Sequence, residues 1–305
     1  MSSYGVVVIG GGPIGAVAAR VAAEEGASVL LVERRAEIRG PSACTGLVSA
    51  HALTALGASG QSILRSIRGV VVHGPTARVA LHAEDDKAVV VDRAALEREL
   101  LDRARAAGVA VRLGTAAVGA RRGAVELRGG QDDGAVAAGV VIGADGPEGD
   151  TACWFGLPRP AEVLRAVQTE VDAEGAGDTV EVFLGRDVAP GFFAWAVPSE
   201  PGRWRVGLAV SDPQDPSEFL PRLIERRFPG ARKVSAIAAP IPLPPLAPIV
   251  GDGVILVGDA AAHVKPWSGG GLYVGGVCAR LAGRAAARAA RDGDVSSARL
   301  AEYGE

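Results

Sequence analysis

The chain has 305 residues, 48% of them hydrophobic and 22% charged, with a formal net charge of −3. That balance excludes a disordered chain and leaves no basic stripe for nucleic acid, and the length suggests about two domains of roughly 150 residues. No uncharged apolar stretch reaches the ~20 residues of a spanning helix, and Cys44, Cys153 and Cys278 stand too far apart for a zinc cluster or disulfide framework, as expected in a reducing cytoplasm.

Residues 4–9 are a continuous apolar run and predict a buried strand. No basic leader precedes them and Gly-Gly-Gly-Pro interrupts them, so they are not read as a signal peptide. Gly10, Gly11, Gly12 and Gly15 fill the following turn; residues 16–25 have a helix pattern closed by Gly26, and residues 28–32 form a second apolar run ending at Glu33. This is the strand–turn–helix–strand–acid order of a dinucleotide-binding unit. Gly10 permits the sharp turn, Gly12 lets backbone approach a pyrophosphate, and Gly15 lets helix and strand pack closely. Pro13 costs little in the first helical turn, where its missing N–H would have had no partner. The helix start offers free N–H groups to the phosphates. Glu33 stands where a carboxylate binds ribose hydroxyls, which favours FAD or NAD over the 2′-phosphate of NADP.

Residues 88–91 predict a short strand, and Asp92 an N-cap for a helix over 93–107 with Leu96, Leu100, Leu101 and Ala104 on its apolar side. Arg93 opens that helix and, on these residues alone, reads as a solvated side chain. Gly108 closes the helix, and residues 109–113 predict the next strand. A buried strand at 140–142 runs into Asp145 and Gly146, which suit either a plain turn or the close approach of a phosphate. Asp85, Asp86 and Lys87 read as a solvated hairpin tip. From residue 165 the texture changes: strands at 166–171, 179–184, 192–197 and 204–210, separated by glycine and proline, predict an antiparallel sheet. A helix is expected over 216–228, with Pro221 near its start. Pro240, Pro242, Pro244, Pro245 and Pro248 predict an extended return linker.

Residues 253–256 lead a strand into Gly258 and Asp259, and Gly269, Gly270 and Gly271 open a long Ala-rich helix to about Arg291. This is a second helix start suited to anions, and one elongated dinucleotide spanning both is the simplest explanation. The chain has only 4 Trp, 3 Tyr and 6 Phe. Phe192, Phe193 and Trp195 share one strand, while Trp267 and Tyr273 flank the last glycines; this concentration predicts walls for a flat ring or an apolar ligand. Alternation would put Phe193, Trp195 and Val197 on one face and Phe192, Ala194 and Ala196 on the other.

GGGPIG with Glu33, then Gly-Ala-Asp145-Gly146-Pro, then Gly258-Asp259 resemble the para-hydroxybenzoate-hydroxylase-type flavoproteins. Within these, Pro190-Gly-Phe-Phe-Ala-Trp195-Ala-Val-Pro198 and the run from Gly258 through Pro266 to the triple glycine and Leu272 resemble the geranylgeranyl reductase family. The resemblance implies an α/β + β fold: a Rossmann-like FAD-binding domain over 1–70, 88–160 and 249–305, with an inserted antiparallel-sheet substrate domain over 71–87 and 161–248. It implies FAD contacts from Gly10, Gly12, Pro13, Gly15, Glu33 and Arg34 at the first turn, and from Arg93, Asp145 and Gly146 in the middle. Gly258, Asp259, Pro266, Gly269, Gly270, Gly271 and Leu272 would complete them at the last glycine cluster. Cys44 would lie beside the isoalloxazine, the one candidate for a catalytic side chain, with Phe193, Trp195 and Trp267 towards the substrate.

The activity implied is reduction of carbon–carbon double bonds in an isoprenoid or related apolar or lipid substrate. A hydride passes from flavin N5 to one alkene carbon, and the other is protonated. An external reductant such as NAD(P)H or ferredoxin would be needed. The expected location is cytoplasmic, with peripheral contact to a membrane. Family members continue past the helix that follows the triple glycine, whereas this sequence stops at Glu305, so either a short family member or a more open pocket is expected. His263 lies in the motif either as a proton-bearing or as a structural side chain. Two alternatives stay open. One is a flavin monooxygenase or halogenase, since Phe193-Ala-Trp195-Ala-Val-Pro198 also resembles the halogenase Trp-x-Trp-x-Ile-Pro, although Lys87, Lys233 and Lys265 are the only lysines. The other is a flavin-binding protein without turnover.

Overall fold

Apolar runs without alternation belong to strands covered on both faces. In the computed structural model, which describes residues 2–40, 44–130, 133–175, 177–244 and 246–303, these runs form the centre of an eight-stranded sheet. Its parallel strands lie in the order Val254–Leu256, Gly134–Gly143, Ser3–Ile9, Val29–Glu33 and Ala110–Leu113. Ile9 pairs with both Gly143 and Val32, and Gly143 pairs with Leu256. The strands therefore end together, and Gly10, Glu33, Asp145 and Asp259 all emerge at one carboxyl edge, the usual ligand side of such a sheet.

Helices Pro13–Glu24, Arg93–Ala106 and Leu272–Asp292 share one core on one face of this sheet. Small residues bring the first and the last of these close together. A Cβ on Gly283 would lie 2.6 Å from the Ala18 carbonyl oxygen, and one on Gly275 would lie 2.8 Å from Ile14. Ile14 also touches Gly258, so the two helix starts sit side by side. As expected, Asp92 caps the middle helix, its carboxylate accepting from the N–H groups of Ala94 and Ala95 at 2.9 and 3.1 Å. The opposite face is covered through strands Ala116–Arg121 and Ala124–Arg128 and by Ala152, Trp154 and Phe155.

A second, seven-stranded sheet runs Arg232–Pro242, Val163–Asp172, Arg203–Val210, Ala194–Pro198, Thr179–Phe183, Gly69–His73 and Arg78–His82. All its neighbours are antiparallel except Thr179–Phe183 with Gly69–His73. One face packs on helix Leu220–Arg227. The other carries Leu164, Ala166, Trp195, Val197 and Ala209, and meets Ile67 and Val90 of a small sheet formed by Leu47–Val48, Ala88–Val91 and Ile63–Ile67.

Three local expectations change. The helix over 216–228 is a 3-10 turn, Pro216–Glu218, followed by helix Leu220–Arg227, because Pro221 has no N–H to continue an earlier turn. The proline linker begins as strand: Pro240 and Pro242 close Arg232–Pro242, an edge position where a missing donor is tolerated, and Pro245 lies outside the described residues. Phe192 and Phe193 precede the strand, which starts at Ala194. Strict alternation does not reach them, and their rings stack at 4.4 Å on the Trp195 side. Among the described residues, no helix is long and apolar enough to cross a membrane.

Candidate active site

The first turn is built by close backbone approach. Gly10 has φ +107°, and a Cβ there would lie 2.3 Å from the Ala144 oxygen; a Cβ on Gly15 would lie 2.0 Å from the Gly10 oxygen. Gly12 is different. Its dihedrals, φ −67° and ψ 176°, suit any residue, and a Cβ there would meet nothing within 4 Å. Gly12 caps the helix without a side chain, with Pro13 in the first turn. The fold does not need this space; a phosphate in front of free N–H groups would.

Glu33 is buried at the edge. Its Oε2 accepts the Gly11 N–H at 2.8 Å, and its Oε1 accepts the Arg35 backbone N–H at 2.8 Å and Arg35 Nε at 3.0 Å. Burial pushes the carboxyl up, but Arg35 and the Gly11 N–H outweigh it and hold it below the ordinary carboxylate range. Arg34 is exposed in the bend that follows the strand, and across that bend Arg35 returns to Glu33. Arg35 Nη1 also reaches Glu97 Oε2 at 3.1 Å, and Arg93 Nη2 reaches Glu97 Oε1 at 2.9 Å. Arg93 is not solvated: its side chain is 11% exposed, and its Nε is buried without a hydrogen-bond partner. Its Nη1 donates to Cys44 Sγ at 3.8 Å. Burial opposes its charge, but Cys44, Glu97 and Asp259 around it hold its pKa above the ordinary value. Alternating charges thus lead from the first turn to Cys44 and Asp259.

Asp259 lies in the 3-10 turn Gly258–Ala261. Solvent reaches it, as it would on a cleft wall, yet the surrounding protein desolvates the carboxyl and raises its pKa, with Arg93 pulling the other way. Gly271 caps the long helix without a side chain, and a Cβ there would lie 3.0 Å from Asp259 Oδ1. Gly270 precedes it, and the half-buried Leu272 is the first helical residue. A Cβ on Gly269, at φ +65°, would lie 3.2 Å from Ile241 and 3.9 Å from Phe192, so the loop reaches the second sheet. Pro266 and Trp267 stand exposed in that loop. His263 Nδ1 accepts the Gly258 N–H at 3.3 Å, and burial lowers its pKa to about 4. It is neutral near pH 7 and holds the turn. Asp145 Oδ2 accepts from Thr151 N and Oγ1 at 3.0 and 2.8 Å, its Oδ1 is buried without a partner, and Gly146 turns the chain at φ +82°.

On the sheet side, Trp195 pairs across strands with Gly207, which pairs with Gln168. A Cβ on Gly207 would lie 2.6 Å from the Trp195 ring, so only glycine lets the indole lie across this row. Trp195 Nε1 donates to Gln168 Oε1 at 3.0 Å, and Gln168 Nε2 donates to the Cys44 carbonyl at 3.3 Å. The Phe193 ring meets the indole edge-on at 6.0 Å. Arg205 Nη1 donates to the Thr45 and Val91 carbonyls at 2.7 and 3.0 Å, tying the sheet to the Cys44 turn. Sequence reasoning missed Arg35, Glu97, Gln168, Arg205 and Gly207. A lone Gln inside an apolar strand and a Gly inside another are signals of the last kind, a paired buried polar group and a close approach.

Two helix starts without side-chain caps, open space before Gly12, and the unpartnered Arg93 Nε and Asp145 Oδ1 fit an extended dinucleotide along this edge. Known proteins agree. Residues 3–241 match the family described as FAD binding domain. The digeranylgeranylglycerophospholipid reductase of Methanothrix thermoacetophila is 34% identical over 98% of this chain and 81% of its own length. Digeranylgeranylglycerophospholipid reductase 2 of Methanopyrus kandleri is 35% identical over 98% of this chain and 81% of its own. A geranylgeranyl bacteriochlorophyll reductase-like protein of Thermoplasma acidophilum superposes with a TM-score of 0.92 at 27% identity, covering 100% of this chain and 83% of that one. A flavin-dependent brominase shares the fold at a TM-score of 0.80 and 16% identity. The motifs, the edge they share and these relatives place the chain in the geranylgeranyl reductase family of FAD-dependent oxidoreductases.

Proposed function

We propose that this protein reduces carbon–carbon double bonds in the isoprenoid chains of a lipid. The observation that carries the reading is the aromatic cluster of Phe192, Phe193 and the buried Trp195, tied through Gln168 to Cys44 and so to Arg93 at the cofactor edge. The digeranylgeranylglycerophospholipid reductases it is similar to support the choice of substrate class. Reduced FAD supplies the hydride for one alkene carbon, while a proton completes the other. Glu33 would hold the adenosine ribose, the N–H groups after Gly12 and Gly271 would meet anionic and polar cofactor edges, and Arg93 with Asp259 would line the cleft between them. Phe193 and Trp195, with Trp267 at the mouth, orient the apolar chain and exclude water. The site residues belong to a cofactor domain over 1–70, 88–160 and 249–305 and a substrate domain over 71–87 and 161–248. The protein works in the cytoplasm against a membrane, with NAD(P)H, ferredoxin or a similar reductant.

The halogenase alternative finds no lysine beside the wall. Lys87 pairs with Asp85 at 2.7 Å in an exposed turn, Lys233 is exposed on an edge strand, and Lys265 lies over the Tyr273 ring at 5.6 Å. Dithionite-reduced protein mixed without oxygen with a geranylgeranylated phospholipid tests the proposal. Flavin reoxidation coupled to a product carrying two more hydrogens per bond is expected. Reoxidation only by oxygen, with a hydroxylated or halogenated product, overturns it.

A further inference from the structure

Helix Leu272–Asp292 packs one side on the sheet and leaves another open. At about 100° per residue, Tyr273, Val277, Arg280, Leu281, Arg284 and Arg288 fall within one arc of about 100°. Tyr273, Val277 and Leu281 are 40%, 40% and 46% exposed, and Trp267, just before the helix, is 73% exposed. The stripe has a direction: Tyr273 and Val277 begin it, Arg280 and Leu281 share its middle, and Arg284 and Arg288 end it. No acid precedes Asp292 on this helix. Arg284 meets Glu25 at 3.4 Å from a neighbouring helix end, while Arg288 is exposed. The apolar half lies at the helix start, beside Asp259, and the Trp267 loop continues to Gly269, which packs on Ile241 and Phe192. The apolar end of the stripe is therefore at the same end of the helix as Asp259 and the Trp267 loop.

We propose that this face docks on a lipid bilayer, with Trp267, Tyr273, Val277 and Leu281 entering the interface and Arg280, Arg284 and Arg288 meeting anionic headgroups. An exposed Trp and Tyr suit the headgroup boundary, where one end of the ring is apolar and the other wet. Three arginines near an anionic surface raise affinity on the order of a hundredfold. A second copy suits the stripe poorly. An isologous contact between antiparallel helices would set these arginines against Tyr273 and Val277, with no carboxylate on the stripe to receive them. The choice of a bilayer rests on the reading of a lipid substrate above, because a cleft mouth held at the interface reaches isoprenoid chains that never leave the membrane.

The FAD-loaded protein is sedimented with vesicles of phosphatidylcholine alone and with a quarter phosphatidylglycerol. Binding to the anionic vesicles only, weakened at about 1 M salt where screening is nearly complete, is expected. Leu281→Asp and Arg288→Glu should each lower that binding at least tenfold. Both should keep wild-type FAD content and the wild-type rate on a short, water-soluble alkene. Equal binding by wild type and both variants, or none to either vesicle, overturns the proposal. So does a wild-type dimer that Leu281→Asp dissociates, which would assign the stripe to a second copy. Anionic-vesicle binding lost in the variants, in a protein that reduces no alkene, keeps the docking surface and removes the substrate reading.

Discussion

At Gly12 a side chain would meet nothing within 4 Å, whereas at Gly271 it would lie 3.0 Å from Asp259 Oδ1 and 3.2 Å from Val264. Both residues start helices at the same sheet edge, and both lack a side-chain cap. The carboxylate beside the first, Glu33, is paired and held low by Arg35; the one beside the second, Asp259, is pushed up by burial. The first start is an open anion seat on a rigid turn. At the second, the helix start packs directly on the Asp259 carboxylate and Val264. Substitutions should separate cofactor binding from folding at Gly12, and should affect both together at Gly271.

The sharpest break of that contrast is Gly12→Val. Its backbone dihedrals suit Val, so the apoprotein should melt within a few degrees of wild type while FAD affinity falls more than a hundredfold. Gly15→Ala, which forces a Cβ towards the Gly10 oxygen, should lower both. Cofactor per chain by absorbance and apoprotein melting by circular dichroism read the two effects apart. Stoichiometric FAD in Gly12→Val would make the open seat irrelevant to the cofactor.

The crowded start makes its own prediction through His263. Its pKa is about 4 in the folded chain and about 6.5 when free. The unfolded chain therefore takes up the proton first as pH falls. Stability is full above pH 6.5 and drops by about 3 kcal/mol on the way to pH 4. His263→Gln should flatten this window of a denaturant-unfolding series. Glu33, and Glu181 of the second sheet beside Arg227 and His73, have lowered pKa values and lose their contributions only below about pH 4.5. An unchanged slope in the variant would mean that His263 is not held neutral.

Trp195→Ala tests whether the sheet is as separable as the Gly12 seat. Loss of the indole should cost an apolar substrate about 2 to 3 kcal/mol, roughly a hundredfold in affinity, with FAD retained. Trp195→Phe keeps the wall and loses only the bond to Gln168, so it should fall between. A colourless or unfolded Trp195→Ala protein would make Trp195 core alone.

What was legible in the sequence follows the same division. Gly10, Gly15 and Asp92 announce their structural roles by residue type, since a missing Cβ or an N-capping carboxylate acts within a few residues. The parallel core was readable because its strands are apolar on both faces. Strands Ala116–Arg121 and Ala124–Arg128 escaped notice because arginines and glycine interrupt their apolar pattern and pairing with Gly134–Gly143 supplies the rest. Gln168 and Arg205 act on carbonyls 124 and 160 residues away, so only the fold reveals their targets. Trp195 stood out as a rare aromatic, but the glycine beneath it and the glutamine beyond it needed strand register.

Arg35 offers the smallest and most specific test, because the sequence named its neighbour Arg34. In wild type, burial alone would raise the Glu33 carboxyl, and Arg35 is the main influence reversing this. A carboxylate held low adds stability above its unfolded pKa and loses it as pH falls through the folded value. Arg35→Ala should therefore lower stability near pH 7 and flatten the acid limb below about pH 4.5. The side chain is 42% exposed, so screening limits the loss to about 1 kcal/mol. Glu97 keeps Arg93 as a partner, which confines the damage to the surroundings of Glu33. FAD affinity should fall only a few-fold, since Gly11 still donates to Glu33. Arg34→Ala, with its side chain in solvent, should change neither stability nor affinity. A larger effect at Arg34 than at Arg35 would reverse the assignment of which arginine orders the Glu33 carboxylate.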